Sequence, residues 1–128
     1  MEPEKIHSLL YYATIFVGDS QTMTSESALL GTPAVKCNTF AGKLSVPNDI
    51  EGRYQLCFSF LPDQTELMFS KLTEILNTVD LKDVFQQRRQ QMLADKIDVT
   101  AFFTWFIENY PESAQIMHSN PDYQYRFK

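Results

Sequence analysis

Between Gly18 and Pro33 the chain reads GDSQTMTSESALLGTP, so Asp19, Ser20, Thr22, Thr24, Ser25 and Glu26 crowd in behind the apolar run TIFV at 14–17. Where a strand hands over to a helix, such residues can hold a negatively charged ligand. The first helical turn has N–H groups without intrahelical partners, and the helix dipole favours an anion there. Small side chains let a phosphate oxygen approach the backbone, and the hydroxyls of Ser20 and Thr22 can add donors. Glu26 follows Thr22 by one turn, where its carboxylate can accept from a ribose diol while a diphosphate rests on the turn above. The same residues also have a plainer use. Asp19 or Ser20 suits an N-cap, and Glu26 by itself is an ordinary solvated helix residue.

The other polar residues are less specific. Cys37 and Cys57 stand alone in apolar surroundings, with no CxxC spacing, and read as small buried hydrophobes. His7 and His118 are far apart and suggest no metal site. Arg88, Arg89 and Lys96 form a small basic group of the kind that usually lies on a solvated helix face. Asn38 and Lys43 follow the second apolar stub and can reach the same strand-end cleft as Ser20.

These residues need a scaffold, and hydrophobic periodicity supplies one. Apolar positions 6, 9, 10 and 12 predict a helix over 5–12. TIFV at 14–17, ended by Gly18, predicts a strand buried on both faces. Residues 21–30 predict a helix that stops at Gly31 with Pro33 just beyond. AVKC at 34–37 and QLCFSF at 55–60 predict two more strands, and the connection between them holds one helical turn near Asn48–Arg53. Asp63 is expected to cap a helix with Met68, Leu72, Ile75, Leu76 and Val79 on its inner face. Asp80 starts another, with Leu81, Val84, Phe85 and Met92 inward. Asp98 opens VTAFFTWFIENY, whose Phe102, Phe103, Trp105, Phe106 and Tyr110 are too many rings for one small core. That helix is expected to lie across a partner domain or subunit. Residues 111–128 have weak periodicity and two prolines, and are expected to be either an extended arm or disordered chain. The domain reading is therefore 1–110 for a partial α/β domain and 111–128 for the arm. Strands alternating with helices argue a three-stranded parallel sheet with helices flanking it.

Composition agrees with one globular domain: 128 residues, 44% hydrophobic and 13% aromatic, are enough for a real core. The net charge of -5 comes from both halves, four basic against six acidic residues in 1–60 and seven against ten in 61–128. Such a surface disfavours nucleic acid and anionic membranes as partners. No apolar run has the length of a membrane span and the N-terminus lacks signal-peptide character, so a cytoplasmic location is expected.

The segment ATIFVGDSQTMTSESALLGTPAV, 13–35, resembles the nucleotide-binding strand–turn–helix of UDP-N-acetylglucosamine 2-epimerases and related GT-B glycosyltransferases. Their pattern is an aspartate, a serine, two glycines and then a glutamate on a helix that ends Leu-Gly-x-Pro. The segment is more similar still to an uncharacterised archaeal and bacterial family of that superfamily, whose turn reads Gly-Asp-Ser-x-Thr-Met-x-x-Glu and whose helix ends Leu-Gly-Thr-Pro. The resemblance implies a partial Rossmann-like fold, the C-terminal domain of a GT-B protein. It also implies that Ser20, Gln21 and Thr22 approach the diphosphate of a nucleotide sugar and that Glu26 holds the ribose. Gln21 and Thr22 stand where the epimerases have glycines, and each added Cβ restricts close approach.

The similarity with specific motifs covers about residues 5–60 and implies only the second half of a second domain, with an N-terminal Rossmann-like domain missing. The acidic and histidine residues that do chemistry in the epimerases belong to segments not represented, so no catalytic residue is assigned. No metal and no cofactor are expected beyond the nucleotide-sugar substrate, and the resemblance implies a fragment inactive by itself. The strand at 14–17 would then have an unpaired apolar edge, for which a homo-oligomer is the expected cover. A non-catalytic interaction module, using the aromatic helix and the tail YQYRF, is the alternative reading.

Overall fold

Three short strands pair in the order β1–β2–β3 to form an all-parallel sheet: β1 (Phe16–Gly18), β2 (Ala34–Cys37) and β3 (Cys57–Phe60). The computed structural model describes residues 3–128. Register places Phe16 beside Ala34, Gly18 beside Lys36, and Lys36 beside Ser59. Because side chains alternate across a strand, Lys36, Cys57 and Ser59 share one face, and Val35 and Phe58 the other.

Helix α1 (Ile6–Tyr12) precedes β1 and packs against α2 (Gln21–Leu30), which joins β1 to β2. A short α3 (Ser45–Asp49) runs directly into a π-helical turn, Ile50–Tyr54, before β3. The α4 (Thr65–Leu76) and α5 (Leu81–Asp95) helices follow. Gln21 of α2 bonds to Lys36, and the Cys57 thiol donates to the Pro47 carbonyl in α3 at 3.6 Å, so α2 and α3 cover the Lys36 face. The Lys71 ammonium of α4 lies 5.0 Å from the centre of the Phe58 ring, which puts α4 on the opposite face. Helices on both faces of a parallel sheet are what the alternation predicts, and the arrangement is a partial Rossmann-like α/β fold. Ala34, Val35, Leu56 and Cys57 are wholly buried, and full burial of a side chain the size of valine or leucine stabilises by about 1.5–3 kcal/mol.

Several boundaries differ from expectation for identifiable reasons. The first strand is Phe16–Gly18, two residues later than TIFV, and Val17 is 51% exposed because β1 is an edge strand covered less than a central one. The third begins at Cys57, after Gln55 closes the π-turn in the left-handed region at φ 52°. Asp63 does not cap α4. Gln64 occupies that position, and its Oε1 accepts the Leu61 N–H at 2.9 Å. On α4 only Ile75 is fully buried, Met68 and Leu72 are half-buried, and Leu76 faces solvent, as does Val79 in the connection beyond the helix. Gly31 fits its expected role closely. Its φ of 78° is left-handed, and an added Cβ would collide with the side-chain amide of Gln86.

The chain divides after Gln91 into two compact units. The second contains the end of α5, then α6 (Val99–Glu108), α7 (Glu112–Ser119) and a 3-10 helix, Pro121–Phe127. The segment expected as an extended arm or disordered chain is thus helical, and the boundary falls at 91 rather than 110. Aromatic packing explains it. Trp105 stacks on Tyr123 with ring centres 4.8 Å apart, and Phe102 meets Phe127 edge-on at 5.6 Å. Asp98 caps α6 by accepting the Ala101 N–H at 2.9 Å, as its position predicts. Half of the aromatic helix is therefore covered by residues the weak periodicity had set aside, while Val99, Phe103, Ile107 and Tyr110 form an exposed stripe. Among the described residues no helix is long and apolar enough to cross a membrane.

Candidate functional site

Both carboxyl ends, of β1 at Gly18 and β2 at Cys37, open beside the first turn of α2. Ser20 is the N-cap. Its backbone is extended, its Oγ accepts the Met23 N–H at 3.3 Å, and its carbonyl accepts from the Thr24 hydroxyl at 2.7 Å. The plainer use of Ser20 is thereby realised. The Gln21 and Thr22 N–H groups belong to the first turn, where helix geometry provides no intrahelical acceptor. Across the mouth, Asn38 Nδ2 donates to the Asp19 carbonyl at 2.8 Å and ties the loop after β2 to the turn after β1. Lys43, further along that loop, is exposed.

Gln21, Thr22 and Ser25 form one wall of a cavity of about 380 Å³, and Leu44, Ser45, Val46 and Pro47 form the other. Glu26 does not join it. Its carboxylate lies 3.5 Å from His7 Nε2 of α1, and the two line a separate depression with Leu29 and Leu30. Helix geometry accounts for the separation: four residues advance the chain by about 400°, so Glu26 is rotated some 40° from Thr22. A pair this exposed contributes at most about 1 kcal/mol to stability. Of the four predicted residues, then, Gln21 and Thr22 meet at one cavity, Ser20 caps the helix beside it, and Glu26 faces α1.

One further residue of this region escapes the motif reading. Lys36 is 1% exposed, and its ammonium donates to Gln21 Oε1 at 2.6 Å. Loss of hydration holds its pKa below the ordinary lysine value, against weaker upward pulls from Cys57 and Glu51. Burial likewise pushes the Cys57 thiol up to about 12, with a smaller contribution from the Glu51 charge, so it stays a neutral small hydrophobe as its surroundings predict. The available signal for Lys36 was its place inside AVKC, a lysine in a strand short enough to be buried throughout.

A larger cavity, about 440 Å³, lies elsewhere in the first unit among Glu51, Gln55, Phe58, Lys71, Glu74 and Arg88. Both of its cations have partners: Lys71 pairs with Glu74, and Arg88 donates to the Gln55 carbonyl at 2.8 Å. Arg89 is not part of a free basic face either. Its Nε donates to the Leu29 carbonyl at 2.7 Å, and Gln86 donates to Leu30 at 2.9 Å, so α5 satisfies the carboxyl end of α2. Among the described residues no three His, Cys, Asp or Glu side chains gather as a metal site would require.

Comparison of the chain with protein-family models, with curated proteins and with solved structures finds no match.

Proposed function

We propose that the protein binds the diphosphate of a nucleotide sugar at the first turn of α2, as part of a glycosyltransferase-like or epimerase-like protein working in the cytoplasm. The observation that carries this reading is the cavity that Gln21 and Thr22, in the first turn of the helix that follows β1, line together with Ser25 and Leu44–Pro47. Open α/β sheets take ligands at the carboxyl ends of their strands, and a volume of about 380 Å³ falls in the range of about 300–1,000 Å³ usual for small-molecule sites. The resemblance of residues 18–33 supplies the class of ligand. In this reading Ser20 holds the helix start in place, the Gln21 and Thr22 amides meet the diphosphate, and Glu26 takes the ribose on the side toward α1. The missing wall and the acid–base groups belong to an N-terminal Rossmann-like domain, and a second copy covers the free edge of β1.

Calorimetric titration with UDP and a UDP-sugar tests it. Thr22→Glu, which brings a carboxylate to the anion seat, is expected to weaken binding at least tenfold, and unchanged affinity contradicts the seat. Glu26→Ala is expected to lose the ribose contact and weaken UDP several-fold. Equal affinity of wild type and that variant removes Glu26 from the reading.

The exposed stripe of α6 favours a second reading, an interaction module. Phe103→Glu with Ile107→Glu would then abolish complex formation while Thr22→Glu leaves it intact.

A further inference from the structure

A buried ammonium ordinarily lies against a carboxylate, because a charge taken out of water needs an opposite one. Lys36 does not. It is 1% exposed, its hydrogen bond goes to the neutral amide oxygen of Gln21 at 2.6 Å, and among the described residues no carboxylate forms an ion pair with it, Glu51 exerting only a weaker upward pull on its pKa. Two neighbouring polar atoms are also buried and without hydrogen-bond partners among the described residues: Gln21 Nε2 and Ser59 Oγ. Ser59 stands beside Lys36 in register, on the same face of the sheet. Gln21 is the first residue of α2; its side chain is the partner of Lys36, and the residue also lines the 380 Å³ cavity. A lysine serving the core alone would come with satisfied neighbours, since buried polar groups left unpaired are destabilising.

We infer that Lys36 is the buried positive charge of a phosphate site at the first turn of α2, and that Gln21 is its cover, displaced when a ligand oxygen takes the place of Oε1 on the ammonium. This rests on the reading of the α2 mouth as a diphosphate seat, and it names the charge that reading otherwise lacks. The groups next to that turn are donors: the ammonium that Gln21 covers, the Ser59 hydroxyl beside it in register, the Gln21 amide once it turns to the cavity, and the N–H groups of the first turn. A full positive charge beside a helix N-terminus selects an anion with several accepting oxygens. The lowered pKa of Lys36 agrees with a charge left short of compensation.

The test is titration of the whole chain with UDP, pyrophosphate and inorganic phosphate, in wild type, Lys36→Met and Gln21→Glu. Gln21→Glu sets a carboxylate against Lys36; it is expected to raise the melting temperature and to weaken every probe that binds wild type at least tenfold. Lys36→Met is expected to weaken them as much. Should Lys36→Met fail to fold, Gln21→Glu decides, together with the side-chain amide resonance of Gln21, which is expected to shift on saturation with pyrophosphate. UDP binding that is unchanged in both folded variants overturns the role of Lys36 and leaves the nucleotide reading standing. Pyrophosphate binding lost in both variants, with UDP no tighter than pyrophosphate, supports Lys36 and removes the nucleoside from the reading. No saturable binding of any probe overturns both.

Discussion

Two buried residues on the same face of the sheet respond to pH in opposite directions. Cys57 is raised to about 12 from an ordinary thiol value of 9.0, so the unfolded chain releases its proton first. The stability this group contributes is fully present below pH 9 and is lost as pH rises from 9 toward about 12, with a limiting slope of about 1.4 kcal/mol per pH unit. Lys36 has a lowered pKa, so the unfolded chain holds its proton to higher pH and stability rises as pH climbs toward the ordinary value of 10.5. In Cys57→Val the falling alkaline arm should disappear from denaturant midpoints measured across this range, while the rising contribution of Lys36 remains. An alkaline decline that persists unchanged in Cys57→Val would contradict the assignment.

The α2 helix is held at both ends by groups that sequence signals identify unequally. Ser20 was legible as a cap because a small hydroxyl at a strand-to-helix turn has few other local uses, and Gly31 because a left-handed stop needs no Cβ. Ser20→Ala should cost about 1 kcal/mol. Gly31→Ala should cost more, about 1–3 kcal/mol, since it adds positive-φ strain to a collision with Gln86. Equal denaturant midpoints for wild type and Gly31→Ala would show that α5 gives way. The α5 contacts that satisfy Leu29 and Leu30 were not legible, because they join residues some sixty positions apart through side chains that look solvated in sequence. The same long-range character hid the partners of the aromatic helix. Phe102 and Trp105 are covered by Phe127 and Tyr123, which lie in a segment without helical periodicity.

At the scale of the whole chain, the strand–helix alternation of residues 5–60 was enough to give three parallel strands, the helices between them, and Gln21 and Thr22 at the sheet's carboxyl edge. What alternation cannot report is which face of a helix meets which neighbour, and so it placed Glu26 with Thr22 when the structure sets it against His7. It was equally silent on Lys36, whose burial depends on α2 lying over the sheet. The free edge of β1, with Val17 exposed, is the place a second copy would pair. Light scattering is expected to give a multiple of the chain mass, and Val17→Lys is expected to lower it. A bare-chain mass at all concentrations contradicts the pairing.

The most direct measurement of the central claim is a backbone and side-chain NMR titration with UDP, which reports where the ligand sits as well as whether it binds. A nucleotide seat at the α2 mouth predicts saturable shifts concentrated at Gln21, Thr22, Ser25, Glu26 and Lys36. Shifts confined to the Glu51–Arg88 cavity, or none at saturating UDP, would contradict it.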